Sequence, residues 1–188
     1  MEPFAALEAA VDSFGQRLGM VGEADWSRPT PCDGWSVLDL CSHVVGGNTM
    51  AVRLLDGAST AEAVTDLTTP LAGNPVDAFA ATATAQLAAF EQPGALERIV
   101  HHPAMDMPGA QLLGFRIGDL TLHSWDLARA IAQSEELDTE LVRFVWDGLQ
   151  PMAPFIGQIG VFGTGPSGEV PDDAPLQRRL LDLTGRRP

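Results

Sequence analysis

Apolar residues recur at intervals of three and four from the first turn of the chain onward. Phe4, Leu7, Val11, Phe14 and Leu18 form one stripe, so Pro3 to about Val21 reads as an amphipathic helix facing a core. Gly22 breaks the pattern. The stretch 25–35 is dense in Pro and Gly, a loop whose two tryptophans, Trp26 and Trp35, suit packing rather than free solvent. Ser36 is a good helix N-cap, and Asp39 three residues later adds a favourable charge at the helix start. Val37, Leu40, Val44, Met50 and Leu54 carry that second helix to about Leu55. It runs through Gly46-Gly47, at about 1 kcal/mol per Gly relative to Ala, which suits close approach by a neighbouring helix or a ligand.

Residues 56–73 hold no sustained period and read as a loop with at most a turn of helix. Asn74-Pro75 starts a third, Ala-rich helix to about Glu91, with Asn as cap and Pro in the first turn. Alternation over 96–107 predicts a short β-hairpin. A long, largely apolar helix follows from Pro108-Gly109 to about Ala132 and should be central. Asp138 caps a fifth helix through Leu141, Val142, Val145 and Leu149, and a Gly- and Pro-rich tail leads to a last short helix at 175–183. The expectation is an all-α fold: one domain over 1–188, built as a four-helix bundle with decorating loops.

Composition narrows the function. The 188 residues are 45% hydrophobic and 19% charged, a globular balance that suits a single domain. No apolar run approaches the roughly 20 residues that span a bilayer. Met1-Glu2-Pro3-Phe4 does not open a secretory leader, so the expected location is cytoplasmic. The formal charge is −14, which argues against nucleic acid and anionic membranes as partners. Every basic residue is Arg, and there is neither Lys nor Tyr, which removes Schiff-base chemistry and a phenolic acid or base. Cys32 and Cys41 form no CxxC pair. Cys41 falls about 200° around its helix from His43 and reads as core, and Cys32 reads as packing in the Pro-rich loop. An exposed face of the Ala-rich third helix would suit a homodimer.

Asp119 and His123 lie four apart on one face of the central helix, and His43 comes from the second helix. Two such helices side by side aim two imidazoles and a carboxylate at one point, a donor set for a divalent transition metal. The same spacing also fits a plain Asp–His hydrogen bond. Asp126, three after His123, suits an acceptor that orients a ligating imidazole, or a surface acid. Arg116 shares the face of His123 and Arg129 lies six beyond it; either binds a ligand carboxylate or pairs with one of the many acids. Trp35 and Trp125 wall a pocket or pack in the core.

The segments TPCDGWSVLDLCSHVVGG and GDLTLHSWDLARA resemble the two signature helices of the mycothiol-dependent maleylpyruvate isomerase-like proteins, within the DinB-like superfamily. The resemblance spans most of the chain. It implies a DinB-like four-helix bundle with His43, Asp119 and His123 as metal ligands. Zinc is the first expectation for the metal, with nickel, iron and manganese also suited. It further implies a low-molecular-weight thiol of the mycothiol type, held by the metal as thiolate, and a small-molecule electrophile that the thiolate attacks. Arg129, Arg116 and Trp35 become candidates for binding these ligands, and Arg129 and Asp126 the candidates for catalytic roles. The family has Glu where this chain has Asp119, one methylene shorter. A transferase or isomerase is one implied function; a non-catalytic metal- or ligand-binding sensor is the other.

Overall fold

A computed structural model describes residues 1–159, 162 and 165–188. Its backbone follows the apolar pattern closely. The elements of the larger compact unit, Glu2–Glu135, are α1 (Pro3–Leu18), α2 (Val37–Leu55), α3 (Thr60–Thr68), α4 (Pro75–Phe90), β1 (Ile99–His102), β2 (Met105–Pro108) and α5 (Gly109–Ala130). The sequence reading treats 1–188 as one domain; the described residues gather into this unit and a second one, Glu136–Pro188 with Met1.

Four helices make the bundle: α2 packs on α4 and α5, and α1 packs on α5 and α4. Leu7, Phe14, Leu40, Val44, Leu54, Phe90 and Ile117 are buried where the stripes meet, with the Phe14 and Phe79 rings 5.0 Å apart. The start of α2 is fixed by a full capping box, in which the Ser36 hydroxyl accepts from the Asp39 amide and the Asp39 carboxylate accepts from the Ser36 amide. In α4, Asn74 accepts from the amides of Val76 and Asp77. The two strands pair antiparallel as a hairpin, Val100 against Met107, and those two side chains are the buried ones.

The loop expected at 56–73 contains a regular helix. Ser59 and Glu62 form a second capping box, and α3 packs against α2. Its apolar content, a single buried Ala63, is too small to leave a periodic signal, so the cap is what defines it. Gly46 and Gly47 now have separate reasons. A Cβ on Gly46 would sit 2.8 Å from the backbone oxygen of Asp66 on α3, and a Cβ on Gly47 would sit 2.2 Å from the Arg116 guanidinium. The two glycines let α3 and Arg116 close onto α2.

In the second unit, α6 (Thr139–Leu149) starts at the Asp138 cap, which accepts from the amides of Glu140 and Leu141. It leads into a 3-10 turn, Gln150–Phe155, and the short α7 (Ile156–Ile159). The last helix, α8 (Leu176–Leu183), packs on α6, with Arg179 over the Trp146 ring at 4.6 Å. Among the described residues no helix is long and apolar enough to cross a membrane.

Candidate functional site

The adjacent α2 and α5 bring the three expected residues together. His43 Nε2 lies 3.2 Å from Asp119 Oδ1, and His123 Nε2 lies 3.4 Å from the same oxygen. The two imidazole rings meet edge to face with centroids 5.0 Å apart. Ligands bonded at about 2.0–2.1 Å to a tetrahedral zinc stand roughly 3.3–3.4 Å from one another, so these separations match a metal donor set as well as they match hydrogen bonds. The packing of α2 on α5 brings His43 to the Asp119 carboxylate, and the i, i+4 spacing along α5 brings His123 to it.

Each of the α5 groups is held from behind. The other Asp119 oxygen, Oδ2, accepts from Arg116 Nη1 at 2.7 Å. The rest of that guanidinium is spent on Gln86 Oε1 at 2.8 Å, Asn48 Oδ1 at 2.8 Å and the Val44 carbonyl at 3.3 Å. Arg116 is only 4% exposed. The sequence offered Arg116 either as a ligand-binding group or as the partner of an acid; in the structure its guanidinium is buried and bonded to Asp119, Gln86, Asn48 and the Val44 carbonyl. Asn48 and Gln86, both fully buried, complete this network. Two amides on otherwise apolar helix faces were the sequence signal for it.

His123 Nδ1 lies 2.9 Å from Asp126 Oδ2. With Nδ1–H donating to this carboxylate, Nε2 is the nitrogen turned toward His43 and Asp119. Asp126 is fully buried and meets the site through the His123 imidazole, the place of the orienting acceptor that the sequence offered. Cys32 joins the same group, its Sγ 3.5 Å from Asp126 Oδ2 and 3.9 Å from His123 Nδ1. It does pack, but against the site rather than against the core. Among the described residues, two sets of potential ligand atoms, His43–Asp119–His123 and Cys32–His123–Asp126, share His123, the atoms of each set lying within 4.8 Å of one another.

The Pro-rich loop is shaped to reach the site. Pro29 bridges Ser36, the Thr30 amide donates to the Trp35 carbonyl, and a tight turn closes with the Trp35 amide on the Cys32 carbonyl at 3.0 Å. Gly34 in that turn has φ +77°, a conformation that favours glycine. The turn sets the Trp35 ring 4.8 Å from His43 and 5.9 Å from His123. Trp125, by contrast, is core, 1% exposed, with Arg129 over its ring at 4.1 Å. Arg129 also pairs with Glu135 at 2.7 Å. His101 pairs with Asp106 across the hairpin, and His102 stacks edge-on against Phe115.

The site's charge is internally balanced. Burial works against the Asp119 carboxylate, but the charges of His43, His123 and Arg116 outweigh it and hold Asp119 well below the usual carboxylate range. Burial likewise works against a charged His123, and the Asp119 charge with hydrogen bonds to Asp119, Asp126 and Cys32 raises it well above an ordinary histidine. Burial alone pushes the Cys41 thiol up to about 12, which keeps it inert in the core. His43 and Asp119 each keep about a quarter of their side-chain surface exposed, 26% and 25%. His43 lines a groove of about 440 Å³ between the start of α2 and the segment Leu67–Leu71.

The fold and the site together define a helical bundle that gathers two histidines and a carboxylate beside an open groove. Residues 7–128, within the larger unit, match the mycothiol maleylpyruvate isomerase N-terminal domain, and the chain belongs to that family. Uncharacterized proteins from two strains of Mycobacterium tuberculosis are each 32% identical over 178 residues, covering 95% of this chain and 91% of their own. Crystal structures of the mycothiol-dependent maleylpyruvate isomerase and of a histidine-to-alanine mutant share the fold at 14% identity. Their TM-scores are 0.64 and 0.67, over 83% and 87% of this chain and 70% and 72% of those chains.

Proposed function

We propose that this protein is a metal-dependent enzyme that uses a low-molecular-weight thiol of the mycothiol type to isomerise, or transfer a group onto, a small electrophile. The observation that carries the reading is the convergence of His43 Nε2 and His123 Nε2 on one oxygen of Asp119 beside an open groove. His43, Asp119 and His123 would hold the metal, with zinc suited best to this donor set. When bound, metal and thiol together supply a nucleophilic sulfur, because a coordinated thiol is held as thiolate near neutral pH.

The chain's own residues prepare that site. Arg116 fixes the orientation of Asp119 and balances its charge. Asp126 selects the His123 tautomer that turns Nε2 toward the other two donors. Trp35 and the turn around Gly34 cover the histidines on one side and leave the groove as the approach. Replacing Asp126 with Asn is expected to weaken metal affinity about 10–100-fold while leaving the donor set intact, as measured by competition with a chelating dye. Unchanged affinity would show that Asp126 does not orient His123.

A second reading rests on the same distances. Asp119 is fully satisfied by Arg116 and the two histidines, as a metal-free ion-pair network in a non-catalytic binding protein would require. Turnover of a cis-unsaturated electrophile by metal-loaded protein, with and without a mycothiol-type thiol, separates the two. The proposal expects thiol-dependent turnover that disappears in His43→Ala. Turnover that is equal in His43→Ala, or absent in the wild type with every metal supplied, contradicts it.

A further inference from the structure

The groove beside His43 has walls that state what it accepts. Trp35, Leu38, Leu67, Pro70 and Leu71 give it an apolar side, and Ser42, Thr68 and Thr69 place hydroxyl oxygens on it, their protons donated to the Leu38, Val64 and Thr65 carbonyls. The charged group on the wall is Asp39, and its carboxyl is held below the usual range by its hydrogen bonds to Ser36, so it is an anion at neutral pH. No arginine lines the groove, and its one imidazole, His43, is the proposed metal ligand. A volume of about 440 Å³ is of the size that holds a small molecule.

The arginines of the unit Glu2–Glu135 are committed elsewhere. Arg116 is saturated in the core, Arg53 pairs with Asp66 at 2.8 Å, Arg28 with Asp25 at 3.0 Å and Arg129 with Glu135 at 2.7 Å. Arg17 donates to Ser13 and Arg98 to the Leu55 carbonyl. Recognition of a carboxylate uses a guanidinium fork or an ammonium. A dicarboxylate such as maleylpyruvate is a dianion at neutral pH, and in this groove it meets Asp39 instead.

Resting on the function proposed above, we propose that the electrophile taken by this groove is uncharged, with an apolar body and hydrogen-bonding groups. Asp39 is then the specificity-determining residue that turns dicarboxylates away. The ester or amide of an unsaturated acid fits this chemistry, and the free diacid does not.

Succinate and dimethyl succinate test this as unreactive probes that share a carbon skeleton and differ in charge. Each is titrated into the protein at fixed ionic strength, because salt screens exposed charges. Binding is followed on the indole N–H resonance of Trp35. The diester is expected to shift this resonance and to bind at least about tenfold more tightly than the dianion, the scale of one like-charge contact near a surface. Thr69→Arg, which places a cation on the groove wall, is expected to erase or reverse that preference. Succinate binding as tightly as the diester in the wild type overturns the inference, and so does a Trp35 resonance that neither probe moves. Absence of metal from the purified protein would sink the proposed enzyme and leave this comparison readable; equal binding of the probes would sink the inference and leave the metal-and-thiol reading standing.

Discussion

Arg116→Leu is expected to destabilise the protein by about 3–5 kcal/mol, measured by urea unfolding of the metal-free form. The guanidinium is 4% exposed and links α5 to α2 and α4 through Asn48, the Val44 carbonyl and Gln86, while its remaining arm holds Asp119. Removing it takes their donor from the buried amide oxygens of Asn48 and Gln86 and the nearest cation from the Asp119 carboxylate. Leucine also cannot fill the branched space that Gly47 keeps open for the guanidinium. Arg116→Lys keeps the charge but has no fork, so it should recover part of the loss. A loss under about 1 kcal/mol for Arg116→Leu would mean that the network is not the buried brace described here.

Asp119→Ala is expected to cost more metal affinity than the loss of any orienting partner on α5. It removes a ligand outright, so the affinity should fall by more than the roughly 10–100-fold that follows loss of an orienting partner. The same variant changes the metal-free protein in a definite direction. Asp119 is the charge that holds His123 protonated against the cost of burial. With it gone, burial dominates and the His123 pKa should fall, as followed by NMR titration of the imidazole.

In the wild type, Asp119 is lowered and His123 is raised, so their ion pair stabilises the metal-free fold over a bounded pH window. The contribution is full above the unfolded Asp value near about 4 and below the unfolded His value near about 6.5. It is lost as pH falls through the Asp119 value in the fold and as pH rises through the His123 value in the fold. Metal binding must displace the His123 proton, so affinity should rise with pH. A metal affinity independent of pH between about 6 and 8 would contradict protonated His123 in the metal-free state.

The bundle was legible because α1 and α2 carry regular stripes and because α2 and α4 start at strong caps. Ser36, Asn74 and Asp138 all cap as their residue types require. The hairpin was legible from alternation, and its buried pair is Val100 and Met107. The helix Thr60–Thr68 was not, since it buries one alanine and is anchored by its cap and by Gly46 rather than by an apolar face. That omission hid half of the groove, because Leu67–Leu71 forms the wall opposite α2.

At the site, i and i+4 spacing put Asp119 and His123 on one face, the second helix offered His43 as their partner, and the resemblance implied the same three residues. The chain alone offered Asp126 as the acceptor behind His123, but it did not show the groups behind Asp119. Arg116 shares a face with His123 in sequence, yet whether it points to ligand or core depends on Asn48 and Gln86 across two other helices. Cys32 sits 91 residues from His123, and only the closed turn around Gly34 brings its sulfur against Asp126.

The most direct test is the metal content of the protein as purified, by elemental mass spectrometry, beside the His43→Ala/His123→Ala double variant. The account predicts close to one divalent metal per chain in the wild type and none in the variant, with the variant still folded by circular dichroism. Equal metal in both, or none in the wild type after zinc and nickel have been supplied, would contradict it.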